Sequence, residues 1–247
     1  MRALFFLGTL SLLGSGCVSV KRAARSAAQV DLGAAYYREG NPEGAIETLR
    51  GAIDLDPGNW KAHNALAVVY IAKGQNDLAE DEFRRALRIA PKNAEILNNY
   101  GTLLLKSGRT EEAIVQFTAA LEDLDYRNPA MVQSNLSYAT LQAGRPDEAL
   151  AWAREATRRA PSLCQGWFHL GLAQEARHDV LGALEAYNQL SATCPKEALG
   201  ARLRTGCLQL EVGQTDDGVA ELEDVLGKAP GTAFADQARD CLRTLER

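Results

Sequence analysis

Residues 60–93 read WKAHNALAVVYIAKGQNDLAEDEFRRALRIAPKN. Apolar residues recur at helical spacing on both sides of Gly74, and Pro91 closes the stretch. A glycine at such a turn takes the left-handed conformation that ends a helix at little cost. A proline cannot continue a helix. The 34 residues therefore read as a helical hairpin. One hairpin leaves an apolar face bare, whereas stacked hairpins cover one another.

The pattern continues in both directions. Gly40, Gly74 and Gly108 lie 34 apart; Gly144 follows after 36, His178 after 34 and Gly213 after 35. Ala45, Ala79, Ala113, Ala149, Ala183 and Gly218 keep the same steps. Pro57, Pro91, Pro161, Pro195 and Pro230 close five of six units. Pro42 and Pro146 open second helices, where a missing N–H is harmless. The units are 26–59, 60–93, 94–129, 130–163, 164–198 and 199–232, followed by an amphipathic stretch, 233–247, that caps the series. The third unit is two residues longer, through Asp123–Pro129, and the sixth is the most degenerate. Repetition at this period resembles the tetratricopeptide repeat. The fold class expected is all-α: a superhelical array of six tetratricopeptide repeats with a C-terminal capping helix.

Composition narrows the function. The chain has 247 residues and sets 27 Lys and Arg against 32 Asp and Glu, a formal charge of −5. No basic excess exists to hold a phosphate backbone, so no nucleic acid is expected. The three histidines, His63, His169 and His178, are far apart in sequence. His63 and His169 fall near helix interfaces as packing residues, and His178 replaces a turn glycine in solvent. The acid pairs Glu111-Glu112 and Asp216-Asp217 open second helices, where they meet the positive end of the dipole. With no phosphate loop and no nucleophile motif, neither catalysis nor a cofactor, metal or small-molecule substrate is expected.

The chain opens Met1-Arg2, then runs apolar from Ala3 to Leu13 and reaches Gly14-Ser15-Gly16-Cys17. One positive charge before a short apolar run reads as a secretory signal, 1–16. The run is shorter than the ~20 residues of a membrane-spanning helix. Leu13 to Cys17 resembles a lipobox with its Leu one place early, which makes Cys17 the candidate lipidation site; ordinary signal-peptidase cleavage is the other reading. Residues 17–25 read as lipidated Cys and tether. Their cations Lys21, Arg22 and Arg25 either touch anionic headgroups or are solvated. Val18, not Asp, after the Cys implies the outer membrane, with the chain facing the periplasm.

In such repeats the second, fifth, ninth and twelfth residues of a unit line the concave side. Here these include Val30 and Tyr37, Asn64, Val68 and Ile71, Asn98, Thr102 and Leu105, Met131, Ser134, Tyr138 and Leu141, with Asn99 and Asn135 beside them. An apolar strip with amide groups suits an extended protein segment. Two further readings stay open: half-burial by the superhelix, and helix-to-helix hydrogen bonds of the asparagines. Lys61 and Lys106 are too few for a carboxylate clamp.

A narrower pattern lies in Asn98-Asn99-Tyr100-Gly101, Ala113, Phe117, Ala120-Leu121, Tyr126, Pro129-Ala130 and Asn135. It resembles the pilus biogenesis lipoproteins of the PilF/PilW type. That resemblance implies a pilotin, which helps the secretin of the type IV pilus machinery assemble in the outer membrane. The family's usual disulfide is not expected, because the chain reads Leu103-Leu104-Leu105 and carries Thr140. A generic periplasmic repeat scaffold is the alternative. Four cysteines follow Cys17. The first turn of a unit lies beside the last turn of its second helix, which pairs Cys164 with Cys194. Cys207 and Cys241 hold equivalent places 34 apart. Free thiols remain the other reading; zinc lacks any C-x-x-C pair.

Overall fold

The computed structural model describes residues 12–246, with side chains from Val20 to Leu245. Thirteen α-helices and no strand occur among the described residues. They form two compact units, Met1–Lys106 and Ser107–Arg247.

The first unit holds α1 (Leu12–Arg38), α2 (Pro42–Leu55), α3 (Trp60–Ala72), α4 (Asn76–Ile89) and α5 (Ala94–Lys106). Pro42 stands in the first turn of α2, and the Asn41 side chain accepts the Gly44 N–H there. Asn59 caps α3 by accepting from Lys61 and Ala62 N–H. Gly74, at φ 71°, turns the chain between α3 and α4. The Gln75 N–H then donates to Tyr70 O at 2.9 Å, satisfying a carbonyl that the helix end would orphan. Small residues let the paired helices approach. A Cβ on Gly33 of α1 would lie 2.7 Å from Leu49 Cγ of α2. Leu49, Ala52, Phe83 and Ala86 are wholly buried on the second helices.

The second unit comprises α6 (Thr110–Ala120), α7 (Pro129–Gln142), α8 (Pro146–Arg159), α9 (Cys164–Ala176), α10 (Val180–Thr193), α11 (Leu199–Glu211), α12 (Thr215–Lys228) and α13 (Ala233–Leu242). A 3-10 turn, Arg243–Glu246, ends it. Phe117, Tyr187 and Leu222 fill places equivalent to Phe83 and are wholly buried. Glu111-Glu112 and Asp216-Asp217 stand in the first turns of α6 and α12. His178 is exposed and holds φ 60° at the α9–α10 turn. Its N–H still donates to Glu175 O at 2.8 Å, and Asp179 N–H to Gln174 O at 2.9 Å.

Cys164 is bonded to Cys194, with Cα atoms 5.9 Å apart, and Cys207 to Cys241, at 5.5 Å. These are the pairs that repeat geometry selects. The second needs no unusual approach: facing Cα atoms stand ~2.3 Å off their axes, so helices at the ordinary ~8–10 Å axial spacing can bring them this close. Two features differ from the sequence reading. The stretch 17–25 is helical rather than a tether, because α1 begins at Leu12; Ala23, Ala24 and the later Ala27-Ala28 are strong helix formers. Residues 1–11 of the expected signal, and the Cys17 side chain, lie outside the described residues. Nor is the sixth repeat merely degenerate. A Cβ on Gly218 would lie 2.9 Å from Gly206 O, so glycine stands there because α11 and α12 pass backbone to backbone.

Candidate functional site

The first helices of the hairpins carry the candidate groove, and each unit has its own part of it. In the first unit, α1, α3 and α5 enclose a cleft of about 410 Å³. Tyr37, Val68, Ile71 and Ala72 make its apolar wall, and Asn99, Thr102 and Lys106 its polar one. Tyr37 is 37% exposed, whereas Val68, Ile71, Asn99 and Leu105 are half-buried. Val30 is half-buried as well and does not line this cleft.

The asparagines divide between two roles. Asn64 is buried; its amide donates to Glu95 Oε1 at 2.9 Å and its oxygen accepts from Asn99 Nδ2 at 3.2 Å. Asn98 is also buried. Both are out of solvent, and for Asn64 the outcome is the helix-to-helix hydrogen bonding that the sequence left open. Asn99 remains at the cleft, held in place by Asn64. Lys106 meets no acid among the described residues. It sits one place beyond the twelfth position, and the sequence reading counted it only against a clamp.

In the second unit the groove positions are partly consumed by packing between α7 and α9. Ser134 is wholly buried against His169, whose Nδ1 lies 2.7 Å from Ser134 O and 3.0 Å from its hydroxyl. A carbonyl can only accept, so Nδ1 carries the proton of the neutral ring. Burial pulls the His169 pKa down to about 4. The Tyr138 ring stacks on that imidazole at 5.0 Å. Gln165 donates to Asn135 Oδ1 at 3.0 Å. Met131, Tyr138 and Leu141 stay half-buried. Met131 also lines a second cleft of about 410 Å³ with Pro129, Leu163, Arg127 and Arg159. Arg127 and Leu163 lie on connections, while Pro129 opens α7 and Arg159 ends α8, all outside the counted positions.

The other histidine of the sequence reading, His63, packs between α3 and α4. Its Nδ1 stands 2.6 Å from Glu82 Oε2 and its Nε2 3.2 Å from Pro57 O. Cys164, Cys194 and Glu197 gather within 4.8 Å. Both sulfurs there are committed to a disulfide, so they are not free thiolates for a metal.

Half-buried apolar walls with amides and the Lys106 cation suit an extended protein segment better than a small molecule. The tetratricopeptide repeat profile matches residues 30–94 and again 93–162, together more than half of the chain. The chain belongs to the tetratricopeptide repeat family. Over 131 residues this repeat protein is 37% identical to the type IV pilus assembly protein PilF of Pseudomonas aeruginosa. The aligned segment is 53% of the chain and spans about half, 52%, of that relative. A solved structure of P. aeruginosa PilF superposes with a TM-score of 0.79 at 26% identity, covering 89% of this chain and 99% of that one. The crystal structure of PilW, a widely conserved type IV pilus biogenesis factor, gives 0.80 at 22%, covering 90% and 98%, a likeness of fold. The chain is thus a tetratricopeptide repeat protein of the PilF/PilW type. Its repeats are protein-interaction modules.

Proposed function

We propose that this chain serves type IV pilus biogenesis as a pilotin. In this reading an acylated Cys17 holds it on the periplasmic face of the outer membrane. The first helices capture secretin subunits until they close into a ring. Confinement on a surface raises the subunits' effective concentration, which is the whole of the chemistry required. No bond is made or broken by the chain, and no cofactor or small-molecule substrate takes part.

The observation that carries the reading is the cleft of Tyr37, Val68 and Ile71 faced by Asn99 and Lys106, on a chain of the PilF/PilW type. An apolar side chain of the partner fills the wall, its main chain meets the Asn99 amide, and an acceptor group meets Lys106. Ile71→Glu tests it. A carboxylate there puts a charge against the apolar side chain of the partner and competes with the partner's acceptor for Lys106 in the same cleft, so secretin multimers should vanish from outer membranes while circular dichroism of the variant is unchanged. A folded Ile71→Glu chain that still supports multimers refutes the capture site. Pull-down of the mature chain that returns cell-wall or other secretion components instead of secretin favours the generic scaffold.

A further inference from the structure

We propose that Lys21, Arg22 and Arg25 form a docking surface for an anionic phospholipid bilayer, set at headgroup level by the unbroken helix α1. The proposal rests on the reading of Cys17 as the anchor.

The chain is acidic overall, at −5, yet its first acid is Asp31. All three cations are exposed, and so are Val20, Ala23 and Ala24 around them. Lys21 and Arg25 fall one turn apart on one face of α1. Arg22 reaches the end of α2 through a 3.4 Å contact from Nη2 to Asp54 O. That contact engages a carbonyl, not an acid, so the charge is not neutralised. Ser26, one residue on, is where the helix enters the fold: it is wholly buried and its hydroxyl donates to Ala52 O at 2.7 Å. The basic segment thus stands just outside the packed repeats.

Distance decides what such a segment meets. Helix α1 runs from Leu12 to Arg38 without interruption. At ~1.5 Å rise per residue the three cations stand ~6–12 Å along the axis from Cys17. The polar layer on each side of a bilayer is ~5–8 Å deep, and long basic side chains reach back toward it. Along α1 itself the first acid, Asp31, stands ~21 Å from Cys17, more than two Debye lengths away at physiological salt, which leaves Asp54 at the end of α2 as the acidic residue beside Arg22. A flexible tether would average these charges over solvent; a helix keeps them at the surface.

The test uses the full chain with Cys17→Ser, so that acyl chains do not mask the electrostatic contribution. Sedimentation compares vesicles of phosphatidylglycerol mixed with phosphatidylcholine against phosphatidylcholine alone. The apolar stretch before Cys17 and the Arg2 ahead of it are common to both chains, so the change in vesicle ratio between the chain and its triple variant reads the three cations. Binding should favour the anionic vesicles and fade with added salt. K21Q/R22Q/R25Q should lose the preference, about a hundredfold at ~5-fold per cation, with circular dichroism unchanged. Equal binding to both vesicles, or a triple variant that keeps the preference, overturns the proposal. A triple variant that keeps the preference but fails in secretin assembly assigns the cations to an acidic protein segment instead. Fatty-acid labelling of the native chain is scored separately: an unlabelled mature protein removes the anchor without touching the vesicle result.

Discussion

His178 occupies a left-handed turn, φ 60°, where the other repeats use glycine. A Cβ in that conformation crowds the following carbonyl, at a cost of roughly 1–2 kcal/mol. His178→Gly should therefore stabilise the chain by about 1 kcal/mol, less the entropy that glycine loses on folding, visible as a raised urea midpoint with unchanged slope. His169 sets a pH dependence. Its folded pKa is depressed to about 4 from 6.5. Above pH 6.5 the ring is neutral in both states and its contribution is complete. As pH falls toward 4 the unfolded chain takes up a proton that the folded one refuses, so stability drops, by about 3 kcal/mol. His169→Asn, which keeps a donor for Ser134 O, should flatten that part of the profile in urea titrations between pH 7 and pH 4. The sequence placed His169 at a helix interface and His178 in a solvent-facing turn, as the structure has them. It did not show what each does, because the Ser134 carbonyl and the Tyr138 ring come from a neighbouring repeat some 30 residues away.

At the level of the helix pair, the period of 34 made the hairpins legible, since turn glycines and closing prolines act through local backbone chemistry. The reason for Gly218 was not legible. It depends on a second glycine, Gly206, on the facing helix, and neither announces the other in sequence. Restoring the alanine that the other five repeats carry should therefore harm this one. Gly218→Ala forces α11 and α12 apart and should cost ~1–3 kcal/mol by overpacking, read as a lowered unfolding midpoint. Asn64 and Asn98 hold counted groove positions yet are buried, because a position that a lone hairpin exposes loses that exposure once the next hairpin packs beside it. The disulfides at Cys164–Cys194 and Cys207–Cys241 close loops of 30 and 34 residues. Replacing either pair by serine should cost ~2–4 kcal/mol, and peptide mapping without reductant should recover these two linkages.

For the molecule as a whole, the proposed function requires attachment and capture together. Cys17→Ser should move the chain out of the outer-membrane fraction, and secretin multimers should fall with it even though every cleft residue is intact. A Cys17→Ser chain that still sustains multimers would show that capture needs no confinement. The family was readable from residues 98–135 because that stretch joins a repeat core to a loop insertion, a combination that packing alone does not dictate. The cleft was only partly readable. Lys106 gains its meaning from Tyr37 and Ile71, which lie on two other helices and share with it no pattern along the chain.

The two cysteine pairs also carry information about when the chain is finished. All four sulfurs belong to the last two repeats and the helix that follows them, and none to the first four. In a reducing compartment these segments lack their cross-links, and thiols stay unpaired. Export through a narrow translocation pore favours a chain that can still be unthreaded. On the proposed route, the end that leaves the ribosome last is thus also the end whose fold is sealed only by oxidation, after the crossing. Maturation is then gated by chemistry that the destination supplies, and a chain stranded on the wrong side remains an easy substrate for proteolysis.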